Sequence, residues 1–329
     1  MTHRSGRRHP VVALAFLAAL ALWGAGCISI ELPGGVPKPL VESVVHGDGD
    51  PKILLVQIEG VISDSREETS LLSISQESMV TRFREQLDKA RGDDDVRAVI
   101  LRINSPGGTV TASDILYDEL LRFKRERRIP VIAQLMGLAT SGGYYVAMAA
   151  DEIVAHPTTV TGSIGVIFMG VNLAGLMEKL GIEDQTLTTG PYKDAGSMFR
   201  TMRPEERTQL LSVLDDLFAR FKQVVRSGRG ALSAEQVDTL ADGRIFSAEQ
   251  ARSAGLVDDI GGLEDTVERA EQSAGIPTSR VVTYHRPREW RENLYTRAPT
   301  APTVELDLIP DWPGVRRPAF LYLWSPGAP

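Results

Sequence analysis

Two glycine-flanked turns and one lysine carry the residue types that acyl-transfer chemistry needs. The first turn, Asn104-Ser105-Pro106-Gly107-Gly108, follows an apolar run and precedes a helical stretch. Successive glycines accept positive φ and put no side chain in the way, so their amides can face a carbonyl on which negative charge develops. Taken alone, the turn reads equally well as a flexible strand-to-helix connection. The second turn, Thr140-Ser141-Gly142-Gly143-Tyr144-Tyr145, sets Ser141 before a small-residue helix. There the helix dipole favours an alkoxide or an oxyanion. The bland alternative is that Ser141 is the helix N-cap.

A nucleophilic serine needs a base, and the five histidines offer little. His3 and His9 lie near the N-terminus, His46 in a Pro/Gly/Val-rich stretch and His285 close to the C-terminal region. His156 is nearest to Ser141 in sequence but ends a short apolar run before Pro157, which suits an edge or turn histidine. A lysine can serve if burial disfavours its ammonium form and leaves a free amine. Lys193, in Thr189-Gly190-Pro191-Tyr192-Lys193-Asp194, is the candidate, although a surface lysine paired with a neighbouring acid has the same local appearance.

Taken together the motifs weigh more than they do singly. Ser141-Gly142-Gly143-Tyr144-Tyr145 through Ala150-Asp151, then Gly162-Ser163-Ile164-Gly165-Val166, then Tyr192-Lys193-Asp194 with Ser197, resemble the signal peptide peptidase A family in its short, single-domain form. The intervals from Ser141 to Ser163 and to Lys193 are similar to that family's. Gly243-Arg244-Ile245-Phe246 and Gly255-Leu256-Val257-Asp258 with Gly261 are similar to its C-terminal segment, and the match runs from about Ile53 to Ala270. Ser247-Ala248 departs from a Thr-Gly pair frequent in the family, at no proposed catalytic position. The resemblance implies a Clp protease/crotonase-like α/β fold of repeated β-β-α units with a helical C-terminal segment. It also implies a serine–lysine dyad acting on membrane-derived peptides such as cleaved signal peptides. By position, Ser141 becomes the nucleophile, Lys193 the general base, Ser163 the hydroxyl that holds the lysine amine, and Gly107 and Gly108 the oxyanion hole, with no cofactor or metal. Asp194 stays outside this set, because it can pair locally as readily as it can meet substrate. The alternatives are a crotonase-like acyl-thioester enzyme, against which an export signal argues, and an inactive lipoprotein scaffold.

The elements that must position these residues follow from periodicity. Ile53–Ile58, Val96–Ile103, Pro130–Leu135 and Ile153–Ala155 are short apolar runs of strand length, separated by helical patterns over Glu77–Arg91, Ser113–Arg127 and Gly143–Ala150. Nearly continuous apolar strands alternating with helices argue for a largely parallel sheet covered on its faces. Further on, a helix near Leu173–Leu180, a strand near Gln185–Thr189, a long helix over Pro204–Arg226, a capping box at Ser233-Ala234-Glu235-Gln236 and a short helix over Ser247–Ala254 are expected.

Arg4, Arg7 and Arg8 precede an uncharged run from Val11 to Ile30, the layout of a bacterial export signal. Leu22-Trp23-Gly24-Ala25-Gly26-Cys27 resembles a lipoprotein processing site at which Cys27 is diacylated, with Gly24 where Leu is usual; an uncleaved signal anchor is the other reading. Residues 1–27 are therefore expected to be an export signal, 28–50 a tether, 51–275 the peptidase domain and 276–329 a Pro-rich tail, with the domain outside the cytoplasm and attached to a membrane. The single cysteine excludes an intrachain disulfide and a four-cysteine zinc site. A net charge of −7, with no basic stripe interleaved with aromatics, argues against nucleic acid as a partner. The expected partners are extended peptides, the membrane, and further copies of the chain in a ring-like homo-oligomer.

Overall fold

The computed structural model describes residues 39–65, 77–287 and 320–324. In chain order the first half runs β1 (Val41–His46), β2 (Lys52–Glu59), α1 (Met79–Arg91), β3 (Val96–Ser105), β4 (Gly107–Thr109), α2 (Val110–Arg127), β5 (Val131–Thr140), α3 (Gly142–Ala147), β6 (Glu152–Ala155), β7 (Val160–Gly162) and β8 (Ile167–Phe168). There follow α4 (Ala174–Leu180), α5 (Pro204–Gly228), α6 (Ala234–Leu240), β9 (Ile245–Ser247), α7 (Ala248–Ser253), β10 (Asp259–Ile260), α8 (Leu263–Ala274), β11 (Arg280–His285) and β12 (Phe320–Leu323).

The main sheet has the order β1-β11-β2-β3-β5-β6-β10, and its central pairs β2–β3, β3–β5 and β5–β6 are parallel. Both faces are covered, which is why these strands read as continuous apolar runs. On one face Leu54, Val56 and Ile58 pack with Phe83 and Leu87 of α1 and Leu116, Leu120 and Phe123 of α2. On the other, Ile53, Leu55 and Ile100 meet Leu263, Val267 and Ala270 of α8. The parallel frame brings the carboxyl ends of β3, β5 and β7 to one rim, the usual place for a site in such sheets. The last three residues of β5 pair with β7, Thr140 opposite Gly162.

Three expectations change. The tether expected over 28–50 holds a sheet strand, since Val41–His46 pairs antiparallel with β11. The region expected as a tail from 276 onward contributes two strands: β11, parallel to β2 inside the main sheet, and β12, which joins β4 and β8 in a small second sheet. The strand expected near Gln185–Thr189 is absent; that stretch is irregular and exposed, with Leu187 97% accessible. The export segment and Cys27 lie outside the described residues. No helix among the described residues is long and apolar enough to cross a membrane.

Candidate active site

Ser141 stands where β5 turns into α3, with φ 52° and ψ −115°. A non-glycine residue there carries strain on the order of 1–3 kcal/mol, which the surroundings must enforce. They do so through the backbone: the Ser141 N–H donates to Gly162 O at 2.8 Å, and its carbonyl accepts from Tyr145 N at 2.8 Å. Its side chain makes no capping hydrogen bond, so the N-cap reading does not describe it. The hydroxyl is left free for chemistry in a residue only 1% exposed. Ser163 follows Gly162 as Ser141 follows the paired Thr140, so the two serines leave adjacent strands side by side. Ser163 also has positive φ, 51°, and its N–H donates to Arg244 O at 2.8 Å.

The glycines meet this serine from β4. Ile62 N–H donates to Gly107 O at 2.8 Å and Thr109 N–H to Ile62 O at 2.9 Å, so Gly107 O and Thr109 N are used on one side of β4. Alternation along a strand then turns the Gly108 amide and carbonyl to the other side, toward Tyr322, its antiparallel partner in β12. A Cβ on Gly107, at φ +102°, would lie 2.0 Å from Tyr322 O and 2.7 Å from Gly142 N. A Cβ on Gly142 would lie 3.1 Å from both Gly108 N and Tyr322 O. The backbones of Gly107, Gly108 and Gly142 thus crowd around one main-chain carbonyl, leaving no room for a side chain. Sequence reasoning named Gly107 and Gly108 and missed Gly142; its place directly after the strained serine was the available signal.

Lys193 is placed differently. It sits in a chain of turns, Lys193 N–H donating to Gly190 O at 3.2 Å, and its side chain is exposed. Among the described residues it makes no hydrogen bond or ion pair with Ser141 or Ser163. The loop that carries it is nevertheless fixed. Asp194 accepts from Arg200 Nε at 2.6 Å, a local ion pair. Arg203 donates to the Pro191 carbonyl, and the wholly buried Glu206 side chain accepts from Arg200 Nη1 at 2.9 Å and from Arg203 N at 3.0 Å. His156 bonds Thr158 Oγ1 at 2.8 Å and stands beside Leu135, several residues back along β5 from Ser141.

The hydrogen bond from Arg200 holds the Glu206 carboxyl at about 2, against an ordinary 4.5. A depressed folded-state value stabilises above the unfolded value and loses that contribution as pH falls. The stability advantage of wild type over Glu206→Gln is therefore expected in full above pH 4.5 and to shrink between pH 4.5 and about 2. Thermal melts of the two chains across that range check this, and a constant difference would contradict it.

A parallel-centred sheet that ends in a strained serine beside the crowded glycine backbones of a neighbouring turn is the architecture of a Clp protease/crotonase-like α/β fold. The model of peptidase family S49 matches residues 123–277, and that of Clp protease matches residues 64–160. A protein of Enterococcus faecium named as a signal peptide peptidase SppA is 36% identical over 74% of this chain and 70% of its own length. A protein of Synechocystis named as a protease is 42% identical over 56% of this chain, and the match spans 65% of that relative. The chloroplastic serine protease SPPA of Arabidopsis thaliana is 34% identical over 71% of this chain and 34% of its own length. The chain belongs to the signal peptide peptidase A family, peptidase family S49.

Proposed function

We propose that the chain is a serine endopeptidase that hydrolyses extended peptides, signal peptides left after export among them, through a Ser141–Lys193 dyad. The observation that carries this reading is Ser141 itself: a buried serine in strained geometry, with a free hydroxyl, next to amides that surround a main-chain carbonyl. In the cycle, the neutral Lys193 amine takes the Ser141 proton while the alkoxide oxygen attacks the peptide carbonyl carbon. The amides of Gly108 and Gly142 stabilise the resulting oxyanion. The lysine proton then passes to the leaving amine as the C–N bond breaks and the acyl-enzyme forms. Water, deprotonated by the same amine, hydrolyses the ester. Ser163 orients the lysine.

In this reading a neighbouring copy supplies the lysine, which agrees with the exposure of Lys193 in the single chain. Two features support a closed ring. The segment around the lysine exposes Leu176 (54%), Leu180 (64%) and Ile182 (53%). In α5 the buried apolar side chains are Phe221, Val224 and Val225, all near its C-terminal end, while Leu211 in the first half is exposed and Leu210, Val213 and Leu214 are only half-buried. A chamber also restricts a displayed serine site to extended peptides. Lipid on Cys27 tethers the assembly to the membrane, with the peptidase domain outside the cytoplasm. The test is a fluorophosphonate probe followed by mass spectrometry of the purified full chain. The expected result is one adduct, on Ser141, and a lipid-modified Cys27 at the mature N-terminus. A chain that neither labels nor cleaves peptides is a scaffold.

A further inference from the structure

One short strand holds the backbone from which both serines hang. β9 pairs antiparallel with β7 in the register Val160 opposite Ser247, Thr161 opposite Phe246 and Gly162 opposite Ile245. Hydrogen bonding runs one residue beyond each strand, since Ser163 N–H donates to Arg244 O at 2.8 Å. On its other edge β7 holds the nucleophile, because Gly162 O accepts from Ser141 N at 2.8 Å. The end of β7 thus bridges β9 to Ser141. Ser163 itself has φ 51°, a conformation that persists in a non-glycine residue only when its neighbours enforce it.

The side chains explain how so short a strand can do this. Of the three in β9 only Phe246 is buried. It lies on Gly162: a Cβ built there, at φ +88°, would stand 2.5 Å from Phe246 Cδ2 and 3.0 Å from Arg244 O. The ring fills the space that a side chain at position 162 would need, so glycine and phenylalanine form one packed unit at the bend. Both ends of β9 are tied down. Before it, the Asp242 carboxylate accepts from Arg244 N at 3.1 Å and from Arg244 Nε at 2.8 Å, which fixes the residue whose carbonyl takes the Ser163 N–H. After it, Ser247 Oγ accepts from Gln250 N at 3.3 Å and Gln250 Oε1 from Ser247 N at 2.9 Å, the capping box of α7.

We infer that Phe246 is a positioning residue for the reaction: through Gly162 it sets where the Ser163 hydroxyl stands relative to Ser141, with β9 as the splint. This rests on the peptidase reading above. Truncating the ring leaves a void beside a glycine, the least restrained kind of backbone position. Ser163 is then free to relax from positive φ, which swings its hydroxyl away from the lysine amine. Displacement of a reacting or orienting group by about 1 Å can cost on the order of 100-fold in rate. A phenylalanine that merely packs would change stability and leave kcat alone.

The test is a double-mutant cycle on the full-length assembled chain, read as kcat and KM for a fluorogenic peptide. Phe246→Ala should lower kcat on the order of 100-fold with KM within about twofold. In a Ser163→Ala background the same change should cost no more than about threefold further, because the hydroxyl it positions is already gone. Phe246→Leu keeps most of the apolar volume and should lower kcat by only several-fold; it carries the same comparison if the alanine variant does not assemble. Val267→Ala, in the core on the opposite face of the sheet, is the control, losing stability but not kcat. Wild-type kcat in the Phe246 variants, Ser163→Ala as active as wild type, or a double variant that falls by the product of the single effects would overturn the inference, and fluorophosphonate labelling of wild-type Ser141 would leave the peptidase reading standing. Absence of labelling and hydrolysis in the wild type removes both.

Discussion

Ser141→Ala and Lys193→Ala chains, each expected to lose at least about 10³-fold of peptide turnover, should recover activity when mixed. The reason is the position of Lys193, exposed on a loop pinned by Arg200, Arg203 and Glu206 rather than folded back onto its own Ser141. If the lysine belongs to one copy and the serine to the next, a mixed ring holds some interfaces where an intact serine faces an intact lysine. Random mixing of equal amounts in a head-to-tail ring gives on the order of one quarter of the sites both groups. The check is turnover of a fluorogenic peptide after dissociation and reassembly, with light scattering to show that the variants assemble. No recovery from assembled mixtures would place both groups of a working site in one chain. His156→Ala is the control: its ring bonds Thr158 on the exposed flank of the sheet, so turnover should stay within about twofold of wild type.

The parts of this site that local sequence determines were legible before any coordinates. Apolar runs of strand length and helices at three- and four-residue spacing gave β2, β3, β5, β6 and the helices between them, because burial on both faces leaves a continuous pattern. Ser141, Gly107 and Gly108 were marked by their place between strand and helix, and Ser163 by the family resemblance alone. What stayed hidden depends on partners remote in sequence. Val41–His46 lies in Pro- and Gly-rich surroundings and becomes a strand because β11 pairs with it. Phe320–Leu323 has no period of its own, and what makes it a strand is the free edges of β4 and β8. The expected strand at Gln185–Thr189 had β-type composition but has no edge to join among the described residues. The exposure of Lys193 was equally out of reach, since a turn of Pro, Tyr, Lys and Asp has the same local sequence whether a neighbouring chain covers it or water does.

Replacing Gly107 by alanine should lower kcat by about 10²–10³-fold, the cost of obstructing an oxyanion site built by the Gly108 and Gly142 amides. Two effects would act together, and they can be separated. At φ +102° an L side chain is strained, which alone costs stability on the order of 1–3 kcal/mol. The added methyl would also stand 2.7 Å from Gly142 N, inside the space that a reacting carbonyl must enter. Gly275, the C-cap of α8 at φ +65°, has open space around its Cβ position. Gly275→Ala thus carries the strain without the intrusion and should lose about 1 kcal/mol of stability with kcat unchanged. The rate of fluorophosphonate labelling at Ser141 provides a second readout, because phosphonylation also builds negative charge on an oxygen held by the same amides. Gly107→Ala should slow labelling and hydrolysis together, and Gly275→Ala should slow neither. If Gly107→Ala lowered the melting temperature but labelled and turned over at wild-type rates, the crowded glycines of β4 and α3 would be a packing device and the oxyanion donors would have to be sought elsewhere.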